Sequence, residues 1–317
     1  MGYGIEDAEA LAKVSNIYFK VGDDIASIDE ASQSVVSTMK AFGIEAQDAM
    51  GIIDIYNKIG NEFAVTSGDI GKAMQSAGAA LQSSNNTLAE SVALWTAMNE
   101  ILQDGDVAAT SVRFITQRMR NTAGELQEMG EDAEGAAESI TKLQQQIQSL
   151  TGVNIFEADG ETFRSTYDVL DDISKVWDEL TDKDRADVTR LLSGTRQSSS
   201  FNALMTNFEQ ARKAVEAANN ATGSAMTEHA RWMESIGASE ARATASWEEF
   251  SNAVMSSELI KFYYDAKSGI LGFLTEIVET LGAIPTLATA ASAALSFKNK
   301  GISNMNMPRF TGEGAAA

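Results

Sequence analysis

The chain has 317 residues, with 24 Lys+Arg against 45 Asp+Glu and a formal net charge of −21, which excludes a protein that coats nucleic acid through a basic face. It has no cysteine and one histidine, so disulfide scaffolds, thiolate metal sites, cysteine nucleophiles and two-histidine metal or triad arrangements are excluded as well. Two prolines, 44% hydrophobic and only 7% aromatic residues fit a mostly α protein whose core rests on small and flexible side chains rather than a many-stranded sheet.

The amino end carries no secretory pattern, since Met1-Gly2-Tyr3-Gly4 runs directly into polar, acidic sequence. Synthesis and residence in the cytoplasm are expected, and the glycosylation-type strings Asn85-Asn86-Thr87 and Asn220-Ala221-Thr222 carry no weight on that route. Helix-start signals of the form Ser/Thr-x-x-Asp/Glu recur at Ser27, Thr66, Thr87 and Thr181. In each, the hydroxyl can accept a free amide of the first turn and the acid sits at the positive end of the helix dipole. After Thr87, Leu88, Val92, Trp95, Met98 and Leu102 form one stripe at helical spacing, which predicts a core-facing helix. Helix breaks are expected at Gly43, Gly60, Gly105, Gly152, Gly160 and Gly194.

From Ala108 through Val112, Ile115, Met119, Thr122, Leu126, Met129, Ala133, Ala136, Ile140, Leu143, Ile147 and Leu150 the steps alternate between 4 and 3. That average of 3.5 is the spacing of a coiled-coil seam. Gly124, Gly130 and Gly135 interrupt it, so the expectation is a helix over 107–123, a loose joint, and a second helix to about 150. Two uses fit such a stripe: packing inside the chain, or self-association into a homo-oligomer. Apolar residues around Asp159-Gly160 then predict a short β-hairpin near 153–163. A further amphipathic stripe follows at Val169, Leu170, Ile173, Val176, Trp177 and Leu180.

The character changes late. Residues 280–297 carry no charge, with Glu276 and Glu279 before them and Lys298 and Lys300 after. This apolar stretch predicts a buried, self-associating or conditionally membrane-bound helix. The sequence thus divides into a first helical part over 1–150, a hairpin linker over 151–164 and a second helical part over 165–265. An apolar helical segment over 266–297 and a low-complexity tail over 298–317 follow. The expected architecture is an extended assembly of antiparallel and coiled-coil-like helices with at most one small hairpin.

Candidate chemistry is thin. Gly71-Lys72-Ala73 matches only a fragment of a phosphate loop, because Thr66 stands where the first glycine belongs and Ala73 where a hydroxyl belongs. Ser193-Gly194-Thr195-Arg196 predicts a turn between helices, and His229 predicts a solvated side chain rather than a catalytic base. Glu157, Asp159 and Glu161 fall at a hairpin tip, where nothing holds them against a sugar. Catalytic, cofactor-binding and metal-ligating residues are therefore assigned to none, and no enzyme activity is expected. Arg113, Arg118, Arg120 and Arg196 are the candidate contacts to an anionic partner.

Specific strings go further than composition. Ala41-Phe42-Gly43-Ile44 and the dense run from Asp54 to Gly71 open a series that continues with Leu88-Ala89-Glu90-Ser91, Arg118-Met119-Arg120 and Leu126 to Asp132. Trp177 to Asp182, Ser193 to Gln197 and Gly223 to Glu228 complete it. Over roughly 40–265 the chain resembles the core region of phage tail tape-measure proteins, with two departures. Those proteins usually place a lysine before the arginine where Thr195-Arg196 stands here. They also usually continue for hundreds of residues past the apolar segment, so a fragment or a prophage remnant is expected. The resemblance implies a ruler and scaffold for tail-tube assembly with a role in genome ejection. It implies the tail-tube protein and tail assembly chaperones as partners, contact with the host membrane on ejection, and no direct nucleic-acid binding. Residence would be the bacterial cytoplasm during assembly and the tail interior afterwards. A membrane-active helical protein and a cell-wall hydrolase-associated tail component are the alternatives.

Overall fold

The four Ser/Thr signals all become helix N-caps in the structure, a computed structural model that describes residues 4–235 and 244–245. Ser27 accepts from the Glu30 amide at 3.1 Å, Thr66 from Asp69 at 3.1 Å, Thr87 from Glu90 at 3.2 Å and Thr181 from Asp184 at 3.2 Å. Thr87 and Glu90 close a full capping box, as do Thr122 and Glu125. The chain divides into two units, Met1–Ser239 and Glu240–Ala317, and every element named below belongs to the first.

Thirteen α-helices occur among the described residues. They are α1 (Ile5–Val21), α2 (Ile28–Phe42), α3 (Met50–Glu62), α4 (Ser67–Ser83), α5 (Leu88–Leu102), α6 (Gly105–Arg118) and α7 (Ala123–Glu128). After these come α8 (Ile140–Thr151), α9 (Thr166–Val176), α10 (Asp182–Ser193), α11 (Ser198–Thr206), α12 (Phe208–Asn219) and α13 (Ser224–Glu234). Short 3-10 turns stand at Ala46–Asp48 and Trp177–Glu179. The fold is mostly α, as expected.

Helix α5 lies at the centre, with α4, α6, α9, α11 and α12 packed around it. Its expected single stripe widens to burial on all sides, from Leu88 to Asn99. The small residues Ala89, Ser91, Ala93, Thr96 and Ala97 between the large ones let neighbours approach on every face. Trp95, fully buried, donates its indole N–H to the Gly105 carbonyl at 3.0 Å and so ties α5 to the first turn of α6. One hydrophobic core runs from Leu11 to Ala225 and draws side chains from both sides of the 151–164 linker.

The middle segment departs from the expected pair of long helices. Helix α6 stops at Arg118, Thr122 starts the six-residue α7, and 129–139 is irregular before Ser139 caps α8. The 3.5-spaced pattern is therefore shared by three helices and a loop. Gly130 and Gly135, at φ +75° and +73°, hold backbone conformations that a continuous helix cannot contain. Gly60 also differs from expectation, since α3 runs through it to Glu62.

The hairpin reduces to one antiparallel bridge, Phe156 to Phe163. The Glu157 amide donates to the Thr162 carbonyl at 2.7 Å and the Arg164 amide to the Ile155 carbonyl at 3.0 Å. Asp159 spends its carboxylate on its own turn, accepting from the Thr162 hydroxyl and the amides of Glu161 and Thr162, which hold its pKa below the usual carboxylate range. Ile155 is buried and the two Phe rings pack 4.7 Å apart, so the ribbon leans on the helices beneath it.

The densest string, Asp54 to Gly71, lies where α1, α2, α3 and α4 meet. The Gly68 amide donates to the Asp23 carbonyl at 3.0 Å, and a Cβ on Gly68 would stand 2.8 Å from that oxygen and closer still to the Asp24 carbonyl. Gly68→Ala is expected to cost about 1–3 kcal/mol, a fall in Tm of several degrees, because the obstacle is backbone and cannot swing aside. A thermal melt checks this, and an unchanged Tm would mean that the α1–α2 loop yields freely.

Candidate partner-docking surface

The four candidate arginines do not form one patch. Arg113 reaches the Glu131 carboxylate at 3.4 Å. Arg118, five residues further along α6, is fully buried. Its Nε donates to the Leu191 carbonyl at 3.0 Å, Nη1 to Asp132 at 2.7 Å, and Nη2 to Glu134 and Arg190, each at 3.0 Å. Burial lowers the Arg118 pKa, and the nearby Asp132 carboxylate opposes that shift. The guanidinium thus holds the 129–139 loop against the C-terminal turn of α10, where its charge also meets the negative end of the helix dipole.

Arg196 lies on the far side of this junction, with its side chain 81% exposed and Nε 3.8 Å from Asp132 Oδ2. It follows Gly194, which ends α10 at φ +61°, so the predicted turn is present. Three separate strings of the sequence, around Arg118, up to Asp132, and Ser193 to Gln197, therefore converge on one structural node. Of the four arginines, Arg196 is the one presented to solvent.

Arg120 leaves the end of α6 in another direction. Its Nη2 donates to the Ser84 carbonyl at 2.7 Å and the Arg164 carbonyl at 2.5 Å, and its guanidinium lies 4.3 Å over the Phe163 ring. Burial pulls its pKa down to about 10.

The stripe residues divide by burial. Val112, Ile115, Met119, Leu126, Leu143 and Ile147 are buried in the chain's own core, Ile140 and Leu150 are half-buried, and Met129 is 50% exposed. The part of the stripe left outside the core is accordingly Met129 with the outer edges of Ile140 and Leu150.

Sequence reasoning missed the residues that join the first helices to the last. Asp54, buried on α3, accepts from the Gly223 amide through Oδ2 and from the Ala225 amide through Oδ1, both at 2.9 Å. Asn57, one turn along, accepts from the Ser224 hydroxyl at 2.6 Å. Together they cap the N-terminus of α13 from outside its own segment. The signal was present as an acid and an amide inside the apolar run Ile52-Ile53-Asp54-Ile55-Tyr56-Asn57. Nearby, Tyr18 donates to the Ser67 carbonyl at 2.7 Å, and the hydroxyls of Tyr56 and Thr38 lie 2.7 Å apart. Burial pushes both phenols up in pKa.

The remaining candidates resolve into local structure. Lys72 faces Asp24 at 3.2 Å, Asp69 at 3.6 Å and Glu30 at 3.8 Å, an ion-pair group at the surface. His229 is half-buried and stacks on Trp232 at 5.9 Å. Among the described residues no helix is long and apolar enough to cross a membrane, and no three acidic or histidine side chains gather as a metal-ligand set. The apolar segment over 266–297 and the tail over 298–317 lie outside the described residues.

The family model of phage-related minor tail proteins matches residues 1–194, more than half of the chain. No solved structure matches it. The chain belongs to the phage-related minor tail protein family.

Proposed function

We propose, from that membership, that the chain is the core region of a tape-measure protein. It acts as ruler and scaffold on which tail-tube subunits polymerise, with tail assembly chaperones as helpers and a part in genome ejection. In this reading it resides in the host cytoplasm during assembly and in the tail interior afterwards. The observation that carries the reading is the placement of the resembling strings. Asp54–Gly71, Arg118–Arg120 and Leu126–Asp132 all fall inside the family match, and they supply the junctions between helices rather than a catalytic pocket.

The helical content suits a ruler. A helix rises about 1.5 Å per residue, so residues 4–235 laid end to end as helix would span roughly 350 Å. The described helices are instead short and folded on one core, a form suited to being held before the tube grows. Drawing such a body out costs its folding free energy, on the order of 5–15 kcal/mol, which contacts with chaperones and the tube lumen would have to offset. The test is electron microscopy of tails from a phage whose encoding gene carries in-frame deletions. Absent or proportionately shortened tails are expected, and tails of unaltered length would overturn the ruler.

Self-association belongs to the same reading, through the outer edge of the stripe. Light scattering is expected to give a multiple of the chain mass, and Ile140→Asp with Leu150→Asp should reduce it by placing charge on half-buried positions of α8. A monomer at high concentration, unaffected by the double change, would leave the stripe as internal core alone. The apolar segment over 266–297 is proposed to meet the host membrane on ejection.

A further inference from the structure

Helix α1 buries Leu11, Val14, Ile17 and Tyr18 where it packs on α2, α3 and α13. Its opposite face is also largely apolar. Ile5, Ala8, Ala12 and Phe19, with Asn16 among them, are all exposed, Ile5 at 81% and Phe19 at 41%. Steps of 3, 4, 4 and 3 place these five on one stripe, about a quarter of the helix circumference wide. By the same helical count Glu6, Glu9, Lys13 and Lys20 all stand along one side of the stripe, two acids followed by two bases. Among the described residues none of the four is in an ion pair, although Glu9 and Lys13 are one turn apart, and Lys20 lies over the Trp232 ring.

We infer that this face of α1 pairs with the same face of a second copy, the two helices running antiparallel. The inference stands apart from the ruler reading and from the edge of α8. The order of the charges carries it. A two-fold axis at Ala12, perpendicular to the helices, brings the two charged sides together in reverse order. Glu6 and Glu9 of one copy then lie within side-chain reach of Lys20 and Lys13 of the other. A parallel pair would put the charged sides on opposite flanks, where neither meets its complement. On the stripe itself the same axis sets Ile5 of one copy against Phe19 of the other and Ala8 against Asn16, and the small alanines at the centre let the helices approach closely. Exposed ion pairs each contribute little, so the apolar contact supplies association and the charge order fixes its direction.

The chain has no cysteine, so single introduced thiols report the pairing directly. Full chain carrying Ile5→Cys is mixed with full chain carrying Phe19→Cys, oxidised with diamide and read as disulfide-linked dimer on a non-reducing gel. The mixture is expected to cross-link at least about tenfold faster than either variant alone, because like positions stand roughly 20 Å apart in an antiparallel pair and a disulfide needs Cα atoms within about 7 Å. Ala12→Cys, on the axis, should cross-link by itself. Ala12→Glu, added to both members of the mixture, places like charges at the axis from an exposed position. It should reduce cross-linking to the rate of Gln33→Cys, an exposed site on α2, with Tm unchanged. Cross-linking should persist in chains that also carry Ile140→Asp and Leu150→Asp, which keeps this interface distinct from α8. Fastest linkage by Ile5→Cys alone would show a parallel pair. That result, a mixture no faster than Gln33→Cys, indifference to Ala12→Glu, or loss of the cross-link with the α8 changes would each overturn the inference.

Discussion

Arg118→Met is expected to lower the unfolding free energy by about 3–5 kcal/mol, a drop in Tm on the order of 10 °C for a body of this size. Methionine fills much of the volume but donates nothing. The carbonyls of Asp132, Glu134 and Leu191 would lose this donor at once, and that of Arg190 would keep only the Gly194 amide. A buried acceptor left unpaired costs roughly 1–3 kcal/mol, and the four losses are not additive because the 129–139 loop can lift away and admit water. That relaxation gives a second readout: amide exchange should rise in 129–139 and in the last turn of α10 well before it rises in α5. Arg118→Lys should recover only part of the loss, since an ammonium cannot reach carbonyls on two elements with a planar fork. A melt within a degree of the unaltered chain would show that the node is not what holds the loop to α10.

The second large effect is expected at Asp54. Its two carboxylate oxygens accept the Gly223 and Ala225 amides at the start of α13, and Asn57 holds the Ser224 hydroxyl beside them. Asp54→Ala removes a helix cap, a favourable charge at the positive end of a helix dipole, and the partners of two amides. About 2–3 kcal/mol is expected, most of it local, so that α13 detaches from α3 before the core melts. Limited trypsin digestion checks this at Arg231, which lies on α13 and should become a fast cleavage site in the variant. Asp54→Asn keeps the shape and one acceptor but loses the charge, and should fall between the two. If Arg231 stays protected in Asp54→Ala, the docking of α13 rests on its contacts with α1, where Lys20 lies 4.6 Å over the Trp232 ring.

How much of this was legible in the sequence follows from how far each interaction reaches. The N-caps at Ser27, Thr66, Thr87 and Thr181 were readable because cap and amide are three residues apart, and the Asp159-Gly160 turn because its hydrogen bonds close within a few residues. Periodicity named most of the buried positions, with Met129 an exposed exception, but not their partners. Val112 and Ile147 show the spacing of one continuous seam, yet they sit on separate helices within one core, because left-handed glycines at 130 and 135 turn the chain between them. Arginine at position 118 read as surface charge, since its acceptors lie 14 to 73 residues away and burial is a property of the assembled helices. Asp54 is the extreme case, with partners 169 and 171 residues distant. Local hydrogen bonding and hydrophobic spacing decide which segments become helices. Which polar group meets which carbonyl or amide across the core is decided only when the helices pack, because burial is what makes an unpaired polar group costly.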